Sequence, residues 1–310
     1  MNRLKKERSV KSFFKNLGRQ KKIPTEIGLD QNITTTPLSG LQIQAEISKY
    51  IHYEPSQLVV GCGQSVGKQR DHNEDSLFTF TITLGNGINS QPFGLYIIAD
   101  GMGGHQYGEV ASNVAIRTVA SYLIRKFHPI IADASVTLDE PLQEIMQNAV
   151  KEAQHAVMKA APGSGTTLTA VLILGQQMTI AHIGDSRAYS VQPDGRVSIL
   201  TRDHSLVRRL EELGQITSDE AAIHPQRNVL YRALGQGEFL EADIFTAPVP
   251  QPGYLFLCSD GLWGVVSDAE IFRHISEAKN IQSACQNLVA AANAAGGPDN
   301  ISVVLVQLLS

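Results

Sequence analysis

Three aspartates, Asp100, Asp260 and Asp299, each abut a run of apolar residues that reads as a buried strand, and no Lys or Arg lies within five residues of any of them. Tyr96-Ile97-Ile98-Ala99 leads into Asp100, and Leu255-Phe256-Leu257-Cys258-Ser259 leads into Asp260. Asp299-Asn300 opens onto Ile301-Ser302-Val303-Val304-Leu305-Val306. A carboxylate at the rim of an apolar core is costly unless a cation or several donors accompany it. Any one of the three also reads as turn chemistry, because Asp-Gly is a common turn dipeptide. Together they point to a hard divalent cation, which takes clustered carboxylate and carbonyl oxygens and fills its remaining positions with water. Glycine follows two of the three directly, as Gly101 and Gly261. Glycine lets a backbone carbonyl approach an ion closely, so the Gly101 carbonyl is a candidate ligand beside the Asp100 carboxylate.

Dense patterning begins near residue 55. Runs at 57–63, 77–83 and 93–99 read as strands, with turn residues between them. A helix is expected over 108–125. A clearer one is expected over 140–159, where Leu142, Ile145, Met146, Ala149, Val150, Ala153, Ala156 and Val157 keep a 3.6-residue period. Strands follow at 166–174, 178–183, 186–191 and 197–201, the last two joined by a hairpin turn at Gln192-Pro193-Asp194-Gly195. Residues 205–230 are mixed and polar. Strands at 240–246 and 254–258, helices at 268–278 and 281–295, and a strand at 301–308 complete the chain. Hairpins interleaved with paired helices favour an α+β fold of antiparallel sheets with flanking helices over a doubly wound parallel sheet.

At 310 residues the chain can bury a substantial core. No stretch approaches the roughly 18 uninterrupted apolar residues of a membrane span, and the N-terminus lacks the apolar segment of a secretory signal. Cys62, Cys258 and Cys285 are odd in number and far apart, which suggests reduced thiols in a cytoplasmic protein, not disulfides or a zinc site. The net charge of −4 hides an asymmetry. Residues 1–22 hold nine basic side chains against Glu7 alone, leaving 17 basic and 29 acidic groups in the rest. Residues 1–54 are therefore read as a basic N-terminal extension and linker, and 55–310 as one domain. Val10, Phe13, Phe14 and Leu17 have helical spacing, so the extension is expected to be either a solubilising tail or a basic amphipathic helix for an anionic membrane or an acidic partner.

Eight short elements carry chemistry in a fixed order. They are Arg70-x-x-Asn73-x-Asp75, Ala99-Asp100-Gly101-Met102-Gly103-Gly104-His105, Gly165-Thr166-Thr167, and His182-Ile183-Gly184-Asp185-Ser186-Arg187-Ala188-Tyr189. Then come Leu200-Thr201-Arg202-Asp203-His204-Ser205, Arg232-Ala233-Leu234-Gly235, Ser259-Asp260-Gly261-Leu262-Trp263 and Gly297-Pro298-Asp299-Asn300. Singly they are weak signals. In this order, over about residues 57–307, they resemble the metal-dependent protein phosphatases, the PPM family of type 2C Ser/Thr phosphatases, in its compact bacterial form.

The resemblance implies a central antiparallel β-sandwich flanked by helix pairs, with two Mn²⁺ or Mg²⁺ ions at one end and a third in bacterial relatives. Asp100 would bridge the two metals, with Asp260 and Asp299 completing the first site and the Gly101 carbonyl serving the second. Glu74 and Asp75 would act directly or through water, and Asp185 would help Asp260 hold the third ion. Arg70 matches the phosphate-binding arginine. Two metals can acidify a shared water, whose hydroxide would attack phosphorus in line while Arg70 takes up charge on the oxygens. No Cys-x5-Arg string exists, so no covalent phosphocysteine is expected. Many eukaryotic relatives place a general-acid His directly after Asp-Gly, where this chain has Met102. His105 is the remaining candidate, with a metal-bound water as the alternative donor. His182, His204 and His224 read as structural.

The expected substrates are phosphoserine and phosphothreonine proteins of a cognate Ser/Thr kinase pathway, with no nucleic acid partner and a monomeric enzyme. Residues 205–230 fall where such proteins carry a variable flap. Two other readings stay open on the sequence: a pseudophosphatase that binds phosphoproteins without turnover, and a hydrolase of small phosphate esters.

Overall fold

The computed structural model describes residues 55–85, 90–103, 107–133, 136–237 and 240–310. The basic extension and its Val10–Leu17 stripe lie outside the described residues, as does His105. Eleven strands are described: β1 (Gln57–Ser65), β2 (Asp75–Gly85), β3 (Ser90–Met102), β4 (Gly165–Thr166), β5 (Leu168–Leu174), β6 (Gln177–Ile183), β7 (Arg187–Val191), β8 (Val197–Ile199), β9 (Asp243–Pro248), β10 (Tyr254–Cys258) and β11 (Ile301–Leu309). They form two sheets, β1-β11-β10-β7-β8 and β2-β3-β5-β6-β9, with β4 paired to the end of β3. Every pairing within them is antiparallel.

The period-two alternation of the strands explains the layering. In β3, Leu95, Ile97 and Ala99 join the core beneath α1 (Gly108–Ala132) and α2 (Leu142–Ala160), while Tyr96 and Ile98 join the core between the sheets. In β11, Val304 and Val306 face the inter-sheet core, and Ile301, Val303 and Leu305 meet α6 (Asp268–Ser276) and α7 (Ile281–Ala294). Both faces are buried, so these strands look like continuous apolar runs in sequence. The result is a helix–sheet–sheet–helix sandwich, the α+β architecture expected.

Several boundaries differ from expectation, for physical reasons. The run 166–174 breaks at Thr167: Thr166 bridges to Leu234, whereas Thr167 exchanges bonds with the Asp100 backbone. Helix α1 continues past residue 125 because Phe127 remains on its buried stripe. The strand expected at 240–246 runs Asp243–Pro248. The polar segment 205–230 contains two short helices, α3 (Leu206–Glu212) and α4 (Ser218–Ala222), that bury no residue. They are held instead by local chemistry, a Ser205 N-cap and a Thr217–Glu220 capping box. A further short helix, α5 (Asp260–Trp263), begins at one of the three aspartates.

Candidate active site

Four strand ends supply the acids. Asp75 opens β2 and is the register partner of Asp100 in β3. Asp260 follows β10 at the head of α5, and Asp299 stands two residues before the start of β11. One pair therefore comes from each sheet. Ser259 ties the sheets together: its hydroxyl donates to Asp75 Oδ2 at 2.7 Å and accepts the Ser302 N–H at 2.9 Å. Asp185 lies in the turn between β6 and β7, and its carbonyl accepts the Trp263 Nε1–H at 2.9 Å.

The Asp100 backbone is clamped on both sides. Its N–H donates to Thr167 Oγ1 at 2.8 Å, and its carbonyl accepts the Thr167 N–H at 2.8 Å and the Thr166 hydroxyl at 2.9 Å. The glycine after it has a packing reason. A Cβ on Gly101 would overlap the Gly108 carbonyl at the start of α1, and one on Gly261 would overlap the Asn300 carbonyl. Both Asp-Gly pairs are thus places where two backbones approach too closely for a side chain.

Asn300 fixes the loop that carries Arg70 and Glu74. Its Oδ1 accepts the Glu74 N–H at 2.8 Å, and its Nδ2 donates to the carbonyls of Val66 at 2.8 Å and His72 at 2.9 Å. Arg70 Nη2 donates to Asp299 Oδ2 at 2.7 Å, with the arginine side chain 47% exposed. The Glu74 carbonyl accepts bonds from Gly101 N–H and the Ser112 hydroxyl, and its Oε1 lies 3.5 Å from His72 Nε2.

The electrostatics are unfavourable for charge. Burial, then the neighbouring acids, pushes Asp75 up to about 7. Burial and the Asp299 charge raise Asp260 to about 6, although it shares a hydrogen bond with the Asp100 side chain. Asp100 is pushed well above the usual carboxylate range by burial and by Asp75, Asp260, Asp185 and Asp299. Asp185 is raised likewise, by burial and by Asp260 and Asp203. Asp75 Oδ1 and Asp260 Oδ1 are buried with no hydrogen-bond partner. Unpaired buried oxygens among mutually repelling acids fit a divalent cation, which would supply the missing charge and satisfy both atoms. Among the described residues no three His, Cys, Asp or Glu side chains form a ready cation cage. Mg²⁺ in particular keeps several waters and is bound through only one or two carboxylates.

The structure thus brings Asp75, Asp100, Asp260, Asp299 and Asp185 into mutual electrostatic reach, with Glu74, Gly101 and Arg70 bonded around them. The positioning residues Asn300, Ser259 and Thr167 escaped notice as functional, though each lies within or directly beside a quoted motif. His182 lies between the Thr169 hydroxyl and the Arg202 carbonyl, and burial lowers it to about 4. His204 accepts the Gly184 N–H. Both are built into the scaffold.

Residues 62–294 match a protein phosphatase 2C family model. The chain belongs to that family. It is 37% identical to the serine/threonine phosphatase stp of Listeria innocua, covering 78% of this chain and 92% of that one. It is 33% identical to protein phosphatase PhpP of Streptococcus pneumoniae, covering 78% and 94%. Among solved structures, the Mycobacterium tuberculosis serine/threonine phosphatase PstP/Ppp superposes with a TM-score of 0.68 at 32% identity, covering 82% of this chain and all of that one. The catalytic domain of PstP in complex with two manganese ions gives 0.66 at 30% identity, covering 82% of this chain and all of that one. No helix among the described residues is long and apolar enough to cross a membrane.

Proposed function

We propose that the chain is a Mn²⁺- or Mg²⁺-dependent protein phosphatase that hydrolyses phosphoserine and phosphothreonine. The observation that carries this reading is the pair of unpartnered buried oxygens, Asp75 Oδ1 and Asp260 Oδ1, inside a cluster of repelling carboxylates. Asp100, Asp260, Asp299 and the Gly101 carbonyl would hold two such cations. Glu74 and Asp75 would act directly or through water, and Asp185 with Asp260 would hold a third ion. When bound, the cations supply an acidified water and Lewis-acid neutralisation of the phosphoryl oxygens.

The chain's own residues do the rest. Arg70 exchanges Asp299 for the phosphoryl oxygens, which its guanidinium fork can hold in a bidentate pair. Ser259, Thr167 and Asn300 hold the acids at fixed separation, so little reorganisation is needed as charge develops. Burial raises the thiols of Cys258 and Cys285, the latter to about 12, so neither supplies a thiolate nucleophile. The phosphoryl group passes to water without a covalent step. His105 is retained as the candidate proton donor to the leaving hydroxyl.

The test is Mn²⁺-dependent hydrolysis of a phosphothreonine peptide, lost by about 10³-fold or more in Asp260→Asn. Folded wild-type protein that binds the peptide at saturating Mn²⁺ without turnover would make it a pseudophosphatase instead. Faster turnover on small metabolite phosphates than on the peptide would favour the small-ester reading.

The charge asymmetry supports a contact of residues 1–54 with an anionic membrane or an acidic partner, and the domain that follows is read as a cytoplasmic monomer serving a Ser/Thr kinase pathway. Removing residues 1–40 should then abolish pelleting with anionic vesicles at low salt and leave peptide turnover unchanged. A full-length protein that stays in the supernatant refutes the membrane contact.

A further inference from the structure

Arg187 carries a largely buried positive charge that acts on Asp185, yet its ion pair is with Asp203. Its side chain is only 19% exposed. It forks onto Asp203, with Nε at 3.0 Å from Oδ1 and Nη2 at 2.7 Å from Oδ2. The guanidinium carbon lies over the Trp263 ring, 3.6 Å from its centroid. Trp263 in turn donates its Nε1–H to the Asp185 carbonyl at 2.9 Å and closes α5, the helix that Asp260 begins. The other side of the same turn is tied down next to Asp203: His204 N–H donates to the Gly184 carbonyl at 2.8 Å, and His204 Nδ1 accepts the Gly184 N–H at 3.1 Å.

Asp185 and Asp260 therefore sit on separate elements, a strand turn and a short helix, and their like charges push those elements apart. The tie between them is the Trp263 side chain, whose Nε1–H donates to the Asp185 carbonyl. Arg187 and Asp203 hold that indole in its plane. A stacked, bidentate arginine suits this task because its planar fork fixes orientation as well as distance.

We propose that Arg187, stacked on Trp263 and forked onto Asp203, is a positioning residue that sets the spacing of the Asp185 and Asp260 carboxylates and so tunes cation affinity at that pair. This rests on the reading of both acids as cation ligands. Partners that orient ligands in this way typically change metal affinity by about 10–100-fold when removed.

Trp263 is the only tryptophan in the chain, so its fluorescence reports on this junction directly. In the full-length wild-type protein, Mg²⁺ titration should change the fluorescence, and calorimetry with Mn²⁺ should resolve the tighter and weaker sites. Arg187→Lys keeps the charge but gives up the fork and the stack. It should move the fluorescence transition to at least about 10-fold higher Mg²⁺ and weaken Mn²⁺ binding at the site that Asp185 shares with Asp260 to match. Trp263→Phe keeps a ring for stacking and removes only the Nε1–H. By calorimetry it should weaken the same site, and it carries the test should the arginine variant fail to fold. Wild-type Mn²⁺ affinities at every site in a folded variant overturn the positioning role alone. Absence of any Mn²⁺ binding by the wild-type protein overturns the cation-site reading, and this proposal with it.

Discussion

Asp75 and Asp100 stand opposite one another in register across β2 and β3, two carboxylates facing each other on an antiparallel pair. Like charges directly opposite in a sheet are destabilising, and here burial magnifies the cost. The metal-free fold tolerates them by holding protons that the unfolded chain would release.

That proton uptake has a sign. Asp75 has an ordinary value of 3.8 and is raised to about 7 in the fold. Its contribution to stability is therefore present below about pH 4 and is lost as the pH rises through about 7. Asp75→Asn removes this loss. The metal-free variant should melt higher than the metal-free wild type, by a margin that grows from about pH 4 to about pH 7 and then levels off, while Mn²⁺-dependent turnover falls by about 10²-fold or more. Parallel melting curves for the two proteins across that range would contradict the assignment.

Asn300→Ala should cost both stability and activity. The change strands the Glu74 N–H and the carbonyls of Val66 and His72. These bonds are part-buried, so the loss should be about 1–2 kcal/mol overall and lower the melting temperature by about 2–6 °C. Calorimetric melting checks the first figure. An unchanged turnover per folded molecule would mean the loop position does not matter to the chemistry.

Arg70→Ala should separate binding from chemistry. Arg70 is half-exposed and bonded to Asp299, so it is free to trade that partner for a phosphoryl group. The expected result is a KM for a phosphothreonine peptide raised by about 10-fold or more, with inhibition by inorganic phosphate weakened in parallel. Steady-state kinetics decide it: a fall in kcat with KM and phosphate inhibition untouched would remove Arg70 from phosphate binding.

The readability of this chain tracked burial. Strands β3, β10 and β11 are packed on both faces, and their apolar runs with acids at the ends stood out at once. Helix α2 declared itself through its buried stripe. Helices α3 and α4 did not, because they bury nothing and depend on caps and on ion pairs such as Arg208 with Glu211. The break at Thr167 was hidden for another reason. It follows from hydrogen bonds to Asp100, distant in sequence, and no local pattern records them. Asn300 was visible only as the neighbour of Asp299. Its three side-chain bonds reach more than two hundred residues back along the chain.

The acids are drawn from both sheets, and the layer keeping those sheets apart is the core containing Tyr96, Leu257 and Val304. The width of an oily interior therefore acts as a gauge for an ionic site several residues away. Trimming that layer, as in Val304→Ala, would let the two halves of the site drift together without touching a single acid. Greasy residues here carry two duties at once, and whatever loosens the sandwich also retunes the gap between its charges.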